Sequence, residues 1–438
     1  MKENTMLNSS YVILSGFFAN KDEDIDNNLL NKDFYEWQNR IFDGDYKSTF
    51  QYLKSSYYSN YLNNIFPEVN EPSSAKRKQF DLLEHYTFKD IVENRDNYKG
   101  IEVSINPKKK ALFDIDFIDL YLFPHGIGIF SIKVQLQSNY QNIIDASDFF
   151  NAIRMLHTSI RLPNDKSEVT LKSFVEKRVL KSIELSADWD SYNPQLKSYI
   201  QIDIEGSMTS EERNHLIYDI GNISPLGSAE GKGFLAPSPE YYEQQISENL
   251  ISVFNNWSAL TLFDTFTRIS NDFPDRFKSW EYDYFNVYIH TLYSKFFLYL
   301  TSSKLSDVTV VNKATADIRD EFIEFINDEF HSHVSYKFLP NMIVEKLHNS
   351  LGVNVEVDKM ETKVLRINEY FKEKREKTLN IAISVIAFLS VFSSLYDFSE
   401  WGISVGYPRE LMFPYTSITI GLVIFGAIFF ILRKNIQK

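Results

Sequence analysis

The chain predicts an α/β cytosolic domain, then long stalk helices, then a C-terminal two-helix transmembrane hairpin. Three observations carry this. Strand-like and helix-like segments interleave up to about residue 270, helical periodicity dominates beyond Trp280, and two uncharged apolar runs, Leu379 to Tyr396 and Tyr415 to Leu432, follow. The expected boundaries are 1–270 for the α/β domain, 271–377 for the helical region and 378–438 for the hairpin.

With 438 residues, 44% of them hydrophobic and 24% charged, the chain has room for more than one folding unit and is not dominated by disorder. It has no cysteine, which excludes disulfides, zinc-thiolate sites and a cysteine nucleophile and fits a cytosolic body. The formal net charge of -13 argues against a nucleic-acid partner, because such surfaces cluster Lys and Arg. Met1 to Ser10 contains no apolar core, so it is not a secretory signal and membrane insertion is expected to be internal.

Asn20 to Glu71, rich in Asn, Asp, Lys, Tyr and Ser, predicts loops and short helices. Ala111 to Phe123, the Pro124-His125-Gly126 turn and Ile127 to Leu136 alternate in polarity and predict a β-hairpin. Ser198 to Ile204 predicts another strand, and Asp148 to Leu162 and Leu171 to Ile183 have helical spacing. Tyr284 to Leu300 is apolar but carries His290 and Lys295, so it reads as a buried helix of the soluble body. Asp317 to Phe330 presents Ile318, Phe322, Phe325 and Ile326 on one side. Val357, Met360, Val364, Ile367 and Phe371 then mark the seam of a long helix running towards the membrane.

Leu379 to Tyr396 spans about 27 Å as a helix, close to a bilayer core of about 30 Å. Lys372, Lys374, Arg375 and Lys377 precede it, and Arg433, Lys434 and Lys438 follow the second run. The intervening 397–414 has one basic residue, Arg409, against Asp397, Glu400 and Glu410. The positive-inside rule then puts both flanks in the cytoplasm and the loop outside, with Tyr396, Trp401, Tyr407, Phe413 and Tyr415 in an outer aromatic belt. In the first run Ile381, Val385, Phe388, Phe392 and Leu395 form an apolar stripe. Asn380, Ser384, Ala387, Val391, Ser394 and Asp397 form a parallel one that is small and partly polar. Such a stripe either binds helices together or lines a water-filled path. A path requires several subunits around an axis, and Asp397 would then repeat as a carboxylate ring at the outer mouth.

No catalytic motif is present, and no enzyme activity is expected. Gly227-Ser-Ala-Glu-Gly-Lys-Gly233 is one residue short of a phosphate-loop pattern and lacks Ser or Thr after Lys232, so it reads as a loop. His331 and His333 have no evident third ligand and read as a surface pair. Glu211, Glu212, Glu369, Glu373 and Glu376 read as solvated charge. No metal site is assigned.

From Phe325 to Leu395 the sequence resembles the CorA superfamily of pentameric divalent-cation channels. The similarity rests on Phe325-Ile-Asn-Asp-Glu-Phe-His-Ser-His-Val-Ser-Tyr-Lys-Phe338 before the stalk and on Lys377-Thr-Leu-Asn-Ile-Ala-Ile-Ser384 at the membrane. The resemblance implies a homopentamer in the bacterial inner membrane, with both termini cytoplasmic, inorganic cations as cargo and Mg²⁺ as a candidate ligand. Where the family has Tyr-Gly-Met-Asn, this chain has Tyr396-Asp397-Phe398-Ser399. Mg²⁺ selectivity therefore does not carry over, and Asp397 or Ser399 is left at the mouth of a cation path. Divergent relatives accompany type III CRISPR systems, which implies a membrane effector gated by a nucleotide second messenger such as the S-adenosylmethionine–AMP conjugate. A Mg²⁺-regulated housekeeping transporter and a non-conducting scaffold are the alternatives. A nucleotide needs cationic groups in the cytosolic domain. The candidates are Arg154 and Arg161, seven apart and so expected on similar sides of one helix, and Asp219 at the edge of a buried element. Ion pairing or capping is the alternative role for each.

Overall fold

A computed structural model describes residues 5–19, 30, 32–36, 46–66, 83–106, 108–137, 139–140, 142–163, 165, 167–186, 189–273, 279–306, 313–331, 333–410, 414, 417–419, 421–422 and 426. The second apolar run and its basic flank, Tyr415 to Lys438, lie outside the described residues except for 417–419, 421–422 and 426.

Among the described residues, twelve strands form one mixed sheet. They are β1 (Leu7–Ala19), β2 (Phe34–Glu36), β3 (Glu84–Phe88), β4 (Ile101–Asn106), β5 (Lys109–Phe123), β6 (Ile127–Leu136), β7 (Ser159–Arg161), β8 (Val169–Thr170), β9 (Lys197–Ile204), β10 (Leu250–Phe254), β11 (Trp257–Thr261) and β12 (Thr265–Asn271). The order is β10-β11-β12-β9-β1-β6-β5-β4-β7-β8, with β3 on β5 and β2 on β3. The described helices are α1 (Tyr46–Ser56), α2 (Ser59–Ile65), α3 (Lys89–Glu93), α4 (Ile143–Ile153), α5 (Leu171–Phe174), α6 (Ser210–Asn222), α7 (Pro239–Asn249), α8 (Phe285–Ser306), α9 (Lys313–Asp328), α10 (Phe338–Ser350) and α11 (Val353–Ser404).

Only β12 and β9 run parallel; every other pairing is antiparallel. Interleaved strands and helices therefore do not make the parallel sheet that alternation favours: β4–β5, β5–β6, β7–β8, β10–β11 and β11–β12 are joined by direct turns, which give antiparallel neighbours. The expected hairpin forms as β5 and β6, and the expected strand at Ser198–Ile204 is β9. Of the expected helix Asp148 to Leu162 only the first part forms, as the end of α4. Asn142 starts α4 by accepting from the Asp145 amide at 2.8 Å, α4 stops at Ile153, and Ser159–Arg161 joins the sheet edge beside β4.

The central strands are apolar on both faces because both are covered. From β1, Val12, Leu14 and Phe18 enter one core with Ile200 and Ile202 of β9, Phe149 and Ile153 of α4, and Leu216 and Ile220 of α6. The opposite face packs on α8, where Phe17 stacks on Phe296 at 4.8 Å, Phe123 on Tyr293 at 4.3 Å, and Tyr199 meets Tyr288 at 5.4 Å. The expectation that 284–300 is a buried helix of the soluble body is met, and His290 there lies 3.1 Å from Glu329. Phe322 and Phe325 of α9 are buried as their spacing requires.

The chain divides into two compact units, 1–361 and 362–438. Val357, Met360 and Val364 of α11 are buried, and Ile367 and Phe371 are half-buried. Beyond them lies an apolar window of α11 with no burial at all, and α11 is the one helix among the described residues long and apolar enough to cross a membrane.

Candidate functional site

The expected stripe follows one face of α11. Asn380, Ser384, Ala387, Val391, Ser394 and Asp397, at intervals of three and four, are all exposed. The serine hydroxyls turn back onto their own helix: Ser384 donates to the Asn380 carbonyl at 2.7 Å, Ser390 to Ile386 at 2.9 Å and Ser394 to Ser390 at 3.0 Å. A hydroxyl satisfied this way does not need water, which is how serine becomes tolerable in an apolar medium. Leu379, Ile381, Ile383, Ile386 and Leu389 are each more than half exposed in the same stretch. So much apolar surface requires a cover other than water. By contrast α8 is covered by the sheet.

One boundary differs from expectation. The outer loop was expected from residue 397, but α11 continues to Ser404 and takes Tyr396, Asp397, Phe398 and Ser399 into the helix. After Gly352 the next left-handed position in the described chain is Gly406 (φ +100), beyond the end of α11 and two residues before Pro408. Tyr396 donates to Glu400 at 3.3 Å, Asp397 is exposed, and Ser399 is buried rather than open at a mouth.

The three ligand candidates are not brought together. Arg161 lies on β7, and its guanidinium donates to Glu102 at 2.8 Å in an exposed ion pair. Arg154 follows the last turn of α4, so the shared helix face expected of this pair is absent, because the helix between them does not form. Asp219, in the last turns of α6, is buried. It accepts from the Gly227 amide at 2.6 Å and the Ala229 amide at 2.8 Å. The glycine-rich loop thus spends two amides on an internal carboxylate. Burial pushes the Asp219 pKa up to about 6, while the two amides and Ser224 oppose the rise. Glu212, expected as plain surface charge, completes a capping box with Thr209 at the start of α6. His331 is not a surface residue: it is half-buried edge-on to Tyr61, and burial lowers its pKa.

Arg154 opens onto a polar cleft of about 400 Å³. Gln195 lies before β9, Asn222 ends α6, Tyr241, Gln245 and Glu248 come from α7, Phe263 and Asp264 from the β11–β12 turn, and Asn349 from the end of α10. Arg154 Nε is buried with no hydrogen-bond partner among the described residues. Burial lowers the guanidinium pKa, and the charge of Asp264 pulls it back up. Asp264 itself accepts from Lys197 and from Gln195, each at 2.5 Å. Sequence reasoning named Arg154 but missed the cleft, because its walls come from six separated segments. Comparison with models of protein families, with curated proteins and with solved structures finds no match.

Proposed function

We propose that this chain is a CorA-like, homo-oligomeric membrane channel for cations, gated by an intracellular signal received in its sheet domain. One observation carries the reading: the apolar stretch of α11 is exposed on every side, follows Lys372, Lys374, Arg375 and Lys377, and bears a small polar stripe leading to Asp397. Lipid covers such a surface, and the stripe, repeated around an axis, lines a path that an acidic outer ring biases towards cations. In this reading Tyr415 to Leu432 forms the return helix, the basic flanks stay in the cytoplasm and the membrane is the bacterial inner membrane. A nucleotide second messenger of the S-adenosylmethionine–AMP kind is the proposed signal, and antiviral defence the proposed setting. Gating is a population shift, in which the ligand binds open and closed states with different affinity.

The test is ion flux through purified protein in liposomes, with and without adenine nucleotides and nucleotide second messengers. Flux that appears only with one nucleotide supports the effector. Flux without nucleotide that internal Mg²⁺ suppresses supports a Mg²⁺-regulated transporter instead, and no flux under any condition leaves only a membrane-anchored scaffold.

A further inference from the structure

We propose that the cleft beside Arg154 binds a small anionic ligand of mononucleotide size, its acidic group on the Arg154 guanidinium and its ring against Phe263. Arg154 is half-buried and forms no ion pair within 4.0 Å among the described residues, and its buried Nε has no acceptor. A buried donor left unmade is costly, and an oxyanion is the acceptor that suits a guanidinium best. The Phe263 ring is 54% exposed at the cleft wall, too open to serve as core. Lys197 Nζ stands 4.2 Å from its centroid and Lys295 Nζ 5.5 Å. Of the charged groups that line the cleft, Asp264 is matched by Lys197, which leaves the Arg154 guanidinium and the Glu248 carboxylate.

The remaining wall supplies carboxamides, Gln195, Asn222, Gln245 and Asn349 among them, which both donate and accept and so can read a polar heterocycle. The volume of about 400 Å³ lies in the range of small-molecule sites. Asn349 and Ser350 line the cleft at the end of α10, and Gly352 (φ +68) turns the chain into α11 at Val353. A ligand here touches the turn from which the membrane helix starts. Only this consequence for gating rests on the channel reading; binding itself does not.

The experiment is calorimetric titration of AMP into the full chain in detergent, with inorganic phosphate and adenosine as separate arms. AMP should bind saturably, phosphate should compete with it, and adenosine should bind far more weakly. Arg154→Met should weaken AMP binding by about tenfold or more, the loss of one charge-assisted hydrogen-bonded partner. Arg161→Met, which removes only the Glu102 ion pair, should leave affinity unchanged. Should Arg154→Met fail to fold, Phe263→Ala and Gln245→Ala must weaken AMP binding on their own. Absence of AMP binding, equal affinity for adenosine, or affinity unchanged in Arg154→Met and Phe263→Ala overturns the proposal. AMP binding without ion flux sustains the cleft and sinks the channel; flux without AMP binding sinks the cleft alone.

Discussion

Single residues decide how tightly the centre of the sheet closes. Gly16 stands opposite Phe130 and Phe18 opposite Gly128 on β1 and β6, and each phenylalanine lies across the glycine facing it. A Cβ at either glycine would strike that ring, so Gly16→Ala or Gly128→Ala should destabilise by about 1–3 kcal/mol, read by denaturant unfolding. Asp219→Asn should replace one carboxylate oxygen by an NH2 donor, leaving either the Gly227 or the Ala229 amide without its acceptor. The expected result is faster trypsin cleavage after the exposed Lys232. His348 is buried and stacked on Phe330 at 5.2 Å; burial, then the charge of His290, lowers its pKa to about 4. Because it stays neutral when folded and takes up a proton on unfolding, its contribution is intact above pH 6.5 and fades as pH falls towards 4. That shift corresponds to roughly 3 kcal/mol. The raised pKa of Asp219 has the opposite slope, favouring the fold as pH drops from about 6 towards its unfolded value near 4. The comparison is therefore the acid limb of the wild type against that of His348→Gln, which should be shallower; identical limbs would remove His348 as the cause.

At the scale of elements, legibility followed periodicity. β5, β6 and β9 alternate or run apolar in short stretches, α9 has a one-sided stripe, and α11 combines a seam with an uncharged run, so each was visible in the residues alone. Asp148 to Leu162 misled because helical spacing continues through Leu162, while pairing with β4 at Val103–Ile160 captures the segment as strand. β1 escaped notice although Tyr11-Val-Ile-Leu and Phe17-Phe18 are strongly apolar: a strand covered on both faces shows no alternation. On α11, Ser384→Leu and Ser394→Leu remove hydroxyls whose bonds are internal to the helix, so membrane insertion should be retained. In the channel reading the same variants, and Asp397→Leu, should reduce cation flux in liposomes severalfold; unchanged flux would take the stripe out of the path.

For the whole molecule, the sheet domain and the long apolar helix α11 pose separate questions of assembly. In the channel reading a single hairpin encloses nothing, so native mass spectrometry of the detergent-purified chain should find a homo-oligomer, expected as a pentamer; a stable monomer would remove the conduction path. The residues by themselves determined the absence of cysteine chemistry, the apolar run after a basic flank and the helical approach to it. These are properties of composition and of local period, and neighbours in sequence suffice to express them. Tertiary structure decided how each helix is covered: the sheet packs on α8 through Phe296, Tyr293 and Tyr288, while the apolar window of α11 has no such cover. It also decided that Arg161 and Asp219 are occupied internally while Arg154 opens onto a cleft. Partners separated by 59 residues in one case and by a loop of eight to ten in another meet only once the chain is folded.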